Sequence, residues 1–329
     1  MSTSGNCNKV EKLSVADRSS DNKFIAERVE QALQTRIVSE DIVANNPIFH
    51  LMRRAAIEFF NNNFANSGVA FHFYYVLDFR VNAYTLKFDN DAVICFTTGA
   101  IEHISEIFTR IVDLDDFRSI FSNRESPKLI ADLSVNAFYF LFFHELGHLI
   151  CGHAGYTLKK ESTAFMAMFE DVKKPSLLDR QTFEVQADVI AANYFNSIIR
   201  NDNKIDLPRL EVAISAVYLL FEIIFLFDRG RFASDHLYLP STYRMTNIFA
   251  IIIQNEVEDI KPTFEKVVEA TDKGFYYVFR ISSKKMQKLK KDSQKIEKHM
   301  DTIIDHWRVL YRELEPYAIV KLHPDIYDW

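Results

Sequence analysis

The stretch His144-Glu145-Leu146-Gly147-His148 combines the residue types and the spacing that bind a catalytic zinc ion. Residues four positions apart in an α-helix lie on the same face, so His144 and His148 can ligate one ion. Glu145 then points toward the water that the ion activates, where a carboxylate acts as the general base. The stretch therefore predicts one Zn²⁺ ion and the hydrolysis of a protein or peptide substrate, with Glu145 as the catalytic residue.

The residues before this stretch indicate a buried helix that holds the histidines in place. Residues 135–143 are apolar on every side of a helix, and Asp132 or Ser134 is suitably placed to cap its start. Packing of this kind fixes the rotamers of ligand side chains and surrounds the ion with a medium of low dielectric constant. We therefore expect the HELGH stretch to end a core helix.

Two histidines leave a catalytic zinc ion short of one protein ligand. Glu184 shares one face of a second predicted helix with Asp188, among the apolar and small residues of 183–195. We expect Glu184 to be the third ligand and Asp188 to accept a hydrogen bond from a ligand histidine, since two buried carboxylates need such partners. His153 and Cys151 follow the first helix closely and are the alternatives, although their spacing does not match the metzincin arrangement of a third histidine.

The combination of HELGH with E-x-x-A-D at residues 184–188 resembles the gluzincin family of zinc metallopeptidases. The similarity is to the branch that contains the CAAX-processing and heat-shock membrane metalloproteases and the soluble phage-exclusion Lit peptidases. Residues 81–84 and 92–101 resemble the segment that borders the cleft in that branch, and residues 239–244 resemble its H-P-x-x-x-R segment. The resemblance implies a zincin-like fold and, on the Lit side, a folded host protein as the substrate in phage exclusion.

One position departs from the pattern of the family. Leu239 stands where the family has a histidine, and the nearest histidine is His236, three residues earlier. The role of that histidine in the transition state is therefore not carried over to this chain. Arg244 matches the arginine of the family, and we expect it to contact Asp188 or a carboxyl group of the substrate.

Composition narrows the classes of protein that the chain can belong to. Its 329 residues are 48% apolar and 26% charged, which is enough for a large buried core, and the formal charge of −6 gives no reason to expect nucleic acid. We expect no transmembrane span, because the nearest apolar run, 213–227, is shorter than about 20 residues and contains Glu222. The three cysteines, Cys7, Cys95 and Cys151, are scattered, so we expect no disulfide framework and a cytoplasmic location.

Patterning along the chain predicts three parts. Residues 1–22 are polar and are interpreted as a disordered tail, residues 23–260 as the zinc metallopeptidase domain, and residues 261–329 as a C-terminal helical region. Within the last part, residues 286–314 carry apolar side chains alternately three and four positions apart. This heptad pattern predicts a long helix that packs along another helix, either in this chain or, by self-association, in a second copy.

The expected fold is α+β and mainly helical, with a zincin-like catalytic core, a small β-sheet, the HExxH active-site helix and a long C-terminal helix. Residues 71–77 and 92–98 are the best candidate strands, with a hairpin turn at residues 89–91. If 92–98 is an edge strand, it can hold an extended substrate by strand addition. Residues 156–180 are interpreted as a mobile flap over the cleft or as an extra helix on the core. The alternative function is a catalytically silent zincin-fold protein that binds or regulates a partner through its C-terminal helix.

Overall fold

The computed structural model describes residues 15–158, 175–201, 204–227, 241–253 and 293–320. Its helices are α1 (Val15–Leu33), α2 (Glu40–Asn45), α3 (Pro47–Phe64), α4 (Thr98–Val112), α5 (Asp115–Ile120), α6 (Ser126–Ile150), α7 (Leu177–Ile199), α8 (Leu207–Phe227), α9 (Ser241–Ile253) and α10 (Ser293–Leu314). Its strands are β1 (Ala70–Val76), β2 (Ala83–Phe88), β3 (Asp91–Thr97) and the short pair β4 (Arg200–Asn201) and β5 (Lys204–Ile205). The predicted α+β, mainly helical class is confirmed.

The three long strands form one small mixed sheet in the order β1-β3-β2. β1 runs parallel to β3, and β2 runs antiparallel to it through the predicted hairpin turn, where Asp89 has a positive φ of 51°. The condition for strand addition at residues 92–98 is not met, because β3 is the central strand of the sheet. Its residues 92–97 are buried because both faces of the strand are covered: alternate side chains belong to the main core and to a smaller cluster that includes Ile25 and Val29 of α1. Strand β2 is the edge that borders α6.

The HELGH stretch ends α6, which is a core helix as predicted but a longer one. It begins at Ser126, with Pro127 in its first turn, where the missing N–H of proline leaves no hydrogen bond unmade. The predicted start at Asp132 or Ser134 is therefore wrong, and both residues lie within the helix. Asp132 instead accepts a hydrogen bond from Arg124 Nη1 at 3.0 Å. The side chains from Phe140 to Gly147 are buried without interruption.

Helices α6 and α7 cross in close contact at Gly147. A Cβ atom on this glycine would lie 2.9 Å from the Cα atom of Ala187 and 3.0 Å from its carbonyl oxygen. Only two small residues allow the backbones to approach this closely. α7 begins with a capping box, in which Ser176 and Asp179 exchange side-chain and backbone hydrogen bonds. The crossing places the predicted metal residues of both helices side by side.

Helix α8 contains the apolar run 213–227, and its residues 212–223 are buried, which confirms the prediction of a core helix. α9 packs against both α7 and α8. This contact brings Arg244, which is 6% exposed, into the interior behind α7.

One helix of the described residues is long and apolar enough to cross a membrane, although the sequence predicts none. It is α6, and 61% of its most apolar 18-residue window is buried inside the protein. The core helix of a soluble protein has the same length and composition. The absence of a membrane span therefore stays a prediction.

The C-terminal helix α10 follows the heptad pattern where the structure describes it. Its seam residues Ile303, Trp307, Leu310 and Leu314 are buried, and α10 packs along α7 of the same chain. The prediction that this helix packs along another helix is therefore confirmed within the chain. Self-association stays a prediction, and it would have to use a face of α10 other than this seam.

Several predictions fall partly or wholly outside the described residues. α1 begins at Val15, so it occupies the last part of the segment interpreted as a disordered tail. Three predictions concern residues outside the described ranges: the domain boundary at residue 260, the start of the heptad pattern at residues 286–292, and most of the predicted flap, residues 159–174.

Candidate metal centre

His144 and His148 lie on one face of the last turns of α6, as their spacing predicts. Their Nε2 atoms are 3.3 Å apart, and the two rings are nearly perpendicular, at 84°. The side chains are 8% and 14% exposed. Two imidazole nitrogens thus point to one position in a nearly dry part of the protein.

Glu184 of α7 brings its carboxylate to the same position. Oε2 lies 3.2 Å from His144 Nε2, and Oε1 lies 3.7 Å from His148 Nε2. A tetrahedral zinc ion with ligands at 2.0–2.2 Å holds its donor atoms about 3.3–3.6 Å apart. The separation of the two nitrogens, 3.3 Å, lies in this range, and the two distances to the Glu184 carboxylate lie within about 0.1 Å of it, each to a different oxygen. His144, His148 and Glu184 could therefore hold a zinc ion.

Asp188 lies one turn after Glu184 and fixes the outer nitrogen of His144. Its Oδ1 atom is 2.9 Å from His144 Nδ1, and Arg244 holds both carboxylate oxygens at 2.7 Å. The guanidinium of Arg244 also lies 4.1 Å from the centre of the Phe221 ring. Burial by itself raises the pKa of Asp188, but the charge and hydrogen bonds of Arg244 outweigh it and lower that pKa to about 2. The predicted contact of Arg244 with Asp188 is present, and neither Glu184 nor Asp188 belongs to a solvated acidic pair.

The hydrogen bonds around His144 leave the position between the ligands in need of a cation. A neutral His144 uses its one hydrogen to bond Asp188 from Nδ1, so its Nε2 presents a lone pair to Glu184. Among the described residues, Oε2 of Glu184 accordingly has no hydrogen-bond partner, although it is buried. Burial disfavours a charged His144, but its contacts with Asp188 and Glu184 raise its pKa to about 10. The same negative surroundings that favour a proton there favour a metal ion.

The charges of the described residues lead to the same conclusion. The carboxylates of Glu145 and Glu184 are buried or nearly buried beside the two histidines, whereas that of Asp188 is paired with the guanidinium of Arg244. With His144 neutral, as it is when it ligates a metal, a divalent cation would balance the negative charge of Glu145 and Glu184. Buried charges need such compensation, because the protein interior solvates them poorly.

Glu145 reaches the site from the side of the sheet. Its carboxylate lies within 4.8 Å of the coordinating nitrogens of His144 and His148, so distance alone would also admit it as a ligand. Thr85 Oγ1 of β2, however, lies 2.7 Å from Oε2 of Glu145 and 3.0 Å from the carbonyl oxygen of the same residue. When its one hydrogen is donated to Oε2, the nearer acceptor, it holds the carboxylate on the sheet side. Glu184, whose oxygens approach both nitrogens, is therefore the better candidate for the third ligand position.

Thr85 is a functional residue that the sequence reasoning missed. It lies 60 residues before Glu145, in a strand that the local pattern only partly indicates. Alternation along β2 could have shown that Ala83 and Thr85 share one face. Only the packing of that face on α6 reveals what the Thr85 hydroxyl contacts.

The two alternative ligands from the sequence lie elsewhere. The ring of His153 is 2% exposed, and its Nδ1 lies 2.9 Å from His148 Nδ1, which is the nitrogen facing away from the metal position. Cys151 is buried and free, and burial raises the pKa of its thiol to about 12, as expected of a packed side chain. The arrangement disfavours both as ligands. His236 and Leu239 lie outside the described residues.

The geometry therefore brings residues from three helices, α6, α7 and α9, to one position. His144, His148 and Glu184 are grouped as potential ligands, Glu145 lies beside them, and Asp188 with Arg244 lies behind. Comparison of the chain with protein-family models, with curated proteins and with solved structures found no match.

Proposed function

We propose that the protein is a zinc-dependent endopeptidase of the zincin type. The observation that carries this proposal is the convergence of the two imidazole Nε2 atoms of His144 and His148 with the carboxylate of Glu184, at separations close to those around a tetrahedral ion. A fourth side chain, Glu145, lies beside them without being needed as a ligand. Three protein ligands, an open position and a free carboxylate form the donor set of a catalytic zinc site rather than a structural one.

Each residue has a distinct part in the proposed reaction. When bound, a zinc ion lowers the pKa of a water molecule to about 7 and polarises the scissile carbonyl group. Glu145 accepts the proton of the attacking water and later delivers it to the nitrogen of the leaving amine. The hydrogen bond from Thr85 keeps the Glu145 carboxylate oriented for both transfers.

An extended substrate can be held along β2. Among the described residues only β3 pairs with this strand, so its other edge carries unpaired backbone groups. The side chain of Thr85, in the same strand, contacts Glu145, so this edge of β2 lies next to the site. A substrate that adds to β2 as a further strand would present a peptide bond to Glu145. This replaces the role that the sequence interpretation gave to residues 92–98.

The variant Glu145→Gln tests the proposed activity. The amide keeps the size of the side chain but cannot accept a proton, so zinc content should be unchanged and turnover should fall about 10²–10⁴-fold. Both proteins are incubated with a native proteome, and new N-termini are identified by mass spectrometry. The matched control is Glu102→Gln, an exposed glutamate of α4, which should cleave like the wild type.

The possible outcomes separate the two function classes. Cleavage by the wild type and by the control, but not by Glu145→Gln, supports the peptidase. Cleavage that is identical in all three proteins, or absent from all three, contradicts the peptidase and favours the catalytically silent binding protein.

The variant Glu184→Ala tests the ligand set separately. Loss of the carboxylate should reduce the zinc bound per chain, measured by elemental analysis after dialysis. An unchanged zinc content would move the third ligand to another side chain.

A further inference from the structure

The proposed chemistry leaves one buried hydrogen-bond chain unused, and this chain ends on a metal ligand. Oε1 of Gln186 lies 2.5 Å from His153 Nε2, and His153 Nδ1 lies 2.9 Å from His148 Nδ1. Gln186 is 1% exposed and His153 is 2% exposed. The Nε2 atom of His148, at the far end of the chain, faces Glu184 and His144.

Counting hydrogens gives the chain a direction. A carbonyl oxygen can only accept, so Nε2 of His153 donates to Gln186, and a neutral His153 then has a lone pair on Nδ1. His148 must donate its own hydrogen from Nδ1 to that lone pair. The Nε2 atom of His148 is then free of hydrogen, which is the state in which histidine ligates a metal.

The opposite direction would block the metal site. If the amide group of Gln186 donated instead, His153 would donate to His148, and the hydrogen of His148 would lie on Nε2. That hydrogen would point at the lone pair of His144 and occupy the position of the ion. Only an acceptor at the Gln186 end of the chain is compatible with His148 as a ligand.

The surroundings of His153 hold its ring in place. The ring stacks on Phe183, with centroids 4.3 Å apart and planes at 19°. It follows Gly152, whose φ of +81° favours glycine and whose missing side chain makes room for backbone atoms of Leu314 and Ala318. The imidazole is thus buried between α7 and the end of α10 and has little freedom to turn.

We propose that Gln186 and His153 are positioning residues that fix His148 in the tautomer with a free Nε2 atom. This inference rests on the metal site of the proposed function but not on peptide hydrolysis. Neither residue touches the ion or the substrate; each acts through the orientation and the hydrogen of His148. Outer partners of this kind typically change metal affinity 10–100-fold.

The test compares three replacements of buried glutamines in α7. Gln186→Met keeps the size of the side chain but removes the acceptor, so zinc affinity should fall about 10–100-fold in competition with a chromophoric chelator. Gln186→Glu keeps an oxygen that accepts from His153, and a carboxylate has no N–H group with which to donate in the opposite direction. Its zinc affinity should therefore stay close to that of the wild type. Gln181→Met is the control, because Gln181 is also buried but bonds His299 of α10, and its zinc affinity should be unchanged.

A second readout reports the tautomer itself. In the metal-free protein labelled with ¹⁵N-histidine, long-range nitrogen–hydrogen NMR spectra show which ring nitrogen carries the hydrogen. The His148 hydrogen should lie on Nδ1 in the wild type and be shared between both nitrogens in Gln186→Met. A purely structural role of Gln186 would not change this signature.

The outcomes distinguish a failure of the proposed positioning role from a failure of the proposed metal site. Wild-type zinc affinity in Gln186→Met, or an equal loss in Gln186→Met and Gln186→Glu, overturns the positioning role of Gln186 and His153 but not the metal site. A wild-type protein that binds no zinc overturns the proposed metal site and, with it, the positioning role.

Discussion

Replacement of Gly147 by alanine should separate the two helices that carry the metal ligands. The added methyl group would lie 2.9 Å from the Cα atom of Ala187 and 3.0 Å from its carbonyl oxygen, both in the backbone of α7. A backbone cannot turn away as a side chain can. Relief of the contact therefore requires α6 and α7 to move apart, and Glu184 moves with α7.

The expected magnitudes follow from this contact. Ordinary separation for the added carbon requires a shift of about 0.5 Å, which is the tolerance within which the groups of a functional site must be held. Zinc affinity should therefore fall about tenfold or more, or at least about 1.4 kcal/mol. Alanine is a better helix former than glycine by about 1 kcal/mol, and overpacking costs about 1–3 kcal/mol. The free energy of unfolding without metal should thus fall by no more than about 2 kcal/mol.

Two assays and one control isolate the effect on the site. Zinc affinity is measured by chelator competition, and stability without metal is measured by urea unfolding. Leu133→Val destabilises the same helix by a similar amount but lies about 20 Å along its axis from Gly147, so its zinc affinity should be that of the wild type.

A double variant tests which atoms are responsible. Adding Ala187→Gly to Gly147→Ala removes the Cβ atom at 3.3 Å but leaves the two closer backbone atoms in place. Zinc affinity should therefore not be restored. Wild-type affinity in Gly147→Ala, or full rescue by Ala187→Gly, would refute the reasoning.

Three further predictions concern the residues around the ligands. Thr85→Val removes the hydroxyl that donates to Glu145, so kcat should fall about 10-fold or more while the zinc content is unchanged. Thr85→Ser restores the hydroxyl and should restore kcat. An unchanged kcat in Thr85→Val would contradict the orienting role. Asp188→Asn should weaken zinc binding about 10–100-fold, and it should lower stability by about 3–5 kcal/mol because the buried two-bond ion pair with Arg244 loses its negative charge. Chelator competition and urea unfolding check the two effects. The pKa of Asp188 is lowered from 3.8 to about 2, so its contribution to stability, of order 2 kcal/mol, is fully present above pH 4 and is lost as the pH falls through 2. The stability difference between metal-free wild type and Asp188→Asn should therefore shrink between pH 4 and pH 2, and a constant difference would contradict the assignment.

The sequence predicts which residues meet at the candidate site because each half of the site lies within one helix. His144 and His148, like Glu184 and Asp188, are four residues apart, and helical periodicity places each pair on one face whatever the tertiary structure. Burial of those faces also follows from the apolar and small residues around them. The pairing of the two faces is not encoded locally and depends on the close crossing at Gly147.

Most of the relations that the sequence could not give are long-range. Which strand lies at the edge of the sheet depends on the order of the strands, so the sequence predicts a strand at residues 92–98 but leaves open whether it is an edge, and in the structure it is central. The contact between Thr85 and Glu145 joins two elements that no local pattern connects. Spacing disfavours His153 as a ligand, but only the structure shows that it reaches the outer nitrogen of His148.

The central claim, that His144, His148 and Glu184 hold one zinc ion beside Glu145, is tested most directly by anomalous diffraction from crystals of the zinc-loaded protein. Data collected above and below the zinc absorption edge locate the ion independently of any assumption about its ligands. We predict one anomalous peak per chain, bonded to Nε2 of both histidines and to the carboxylate of Glu184, with the Glu145 carboxylate nearby and not bonded to it. No peak at this position, or a peak bonded to Glu145 or His153 in place of Glu184, would contradict the account.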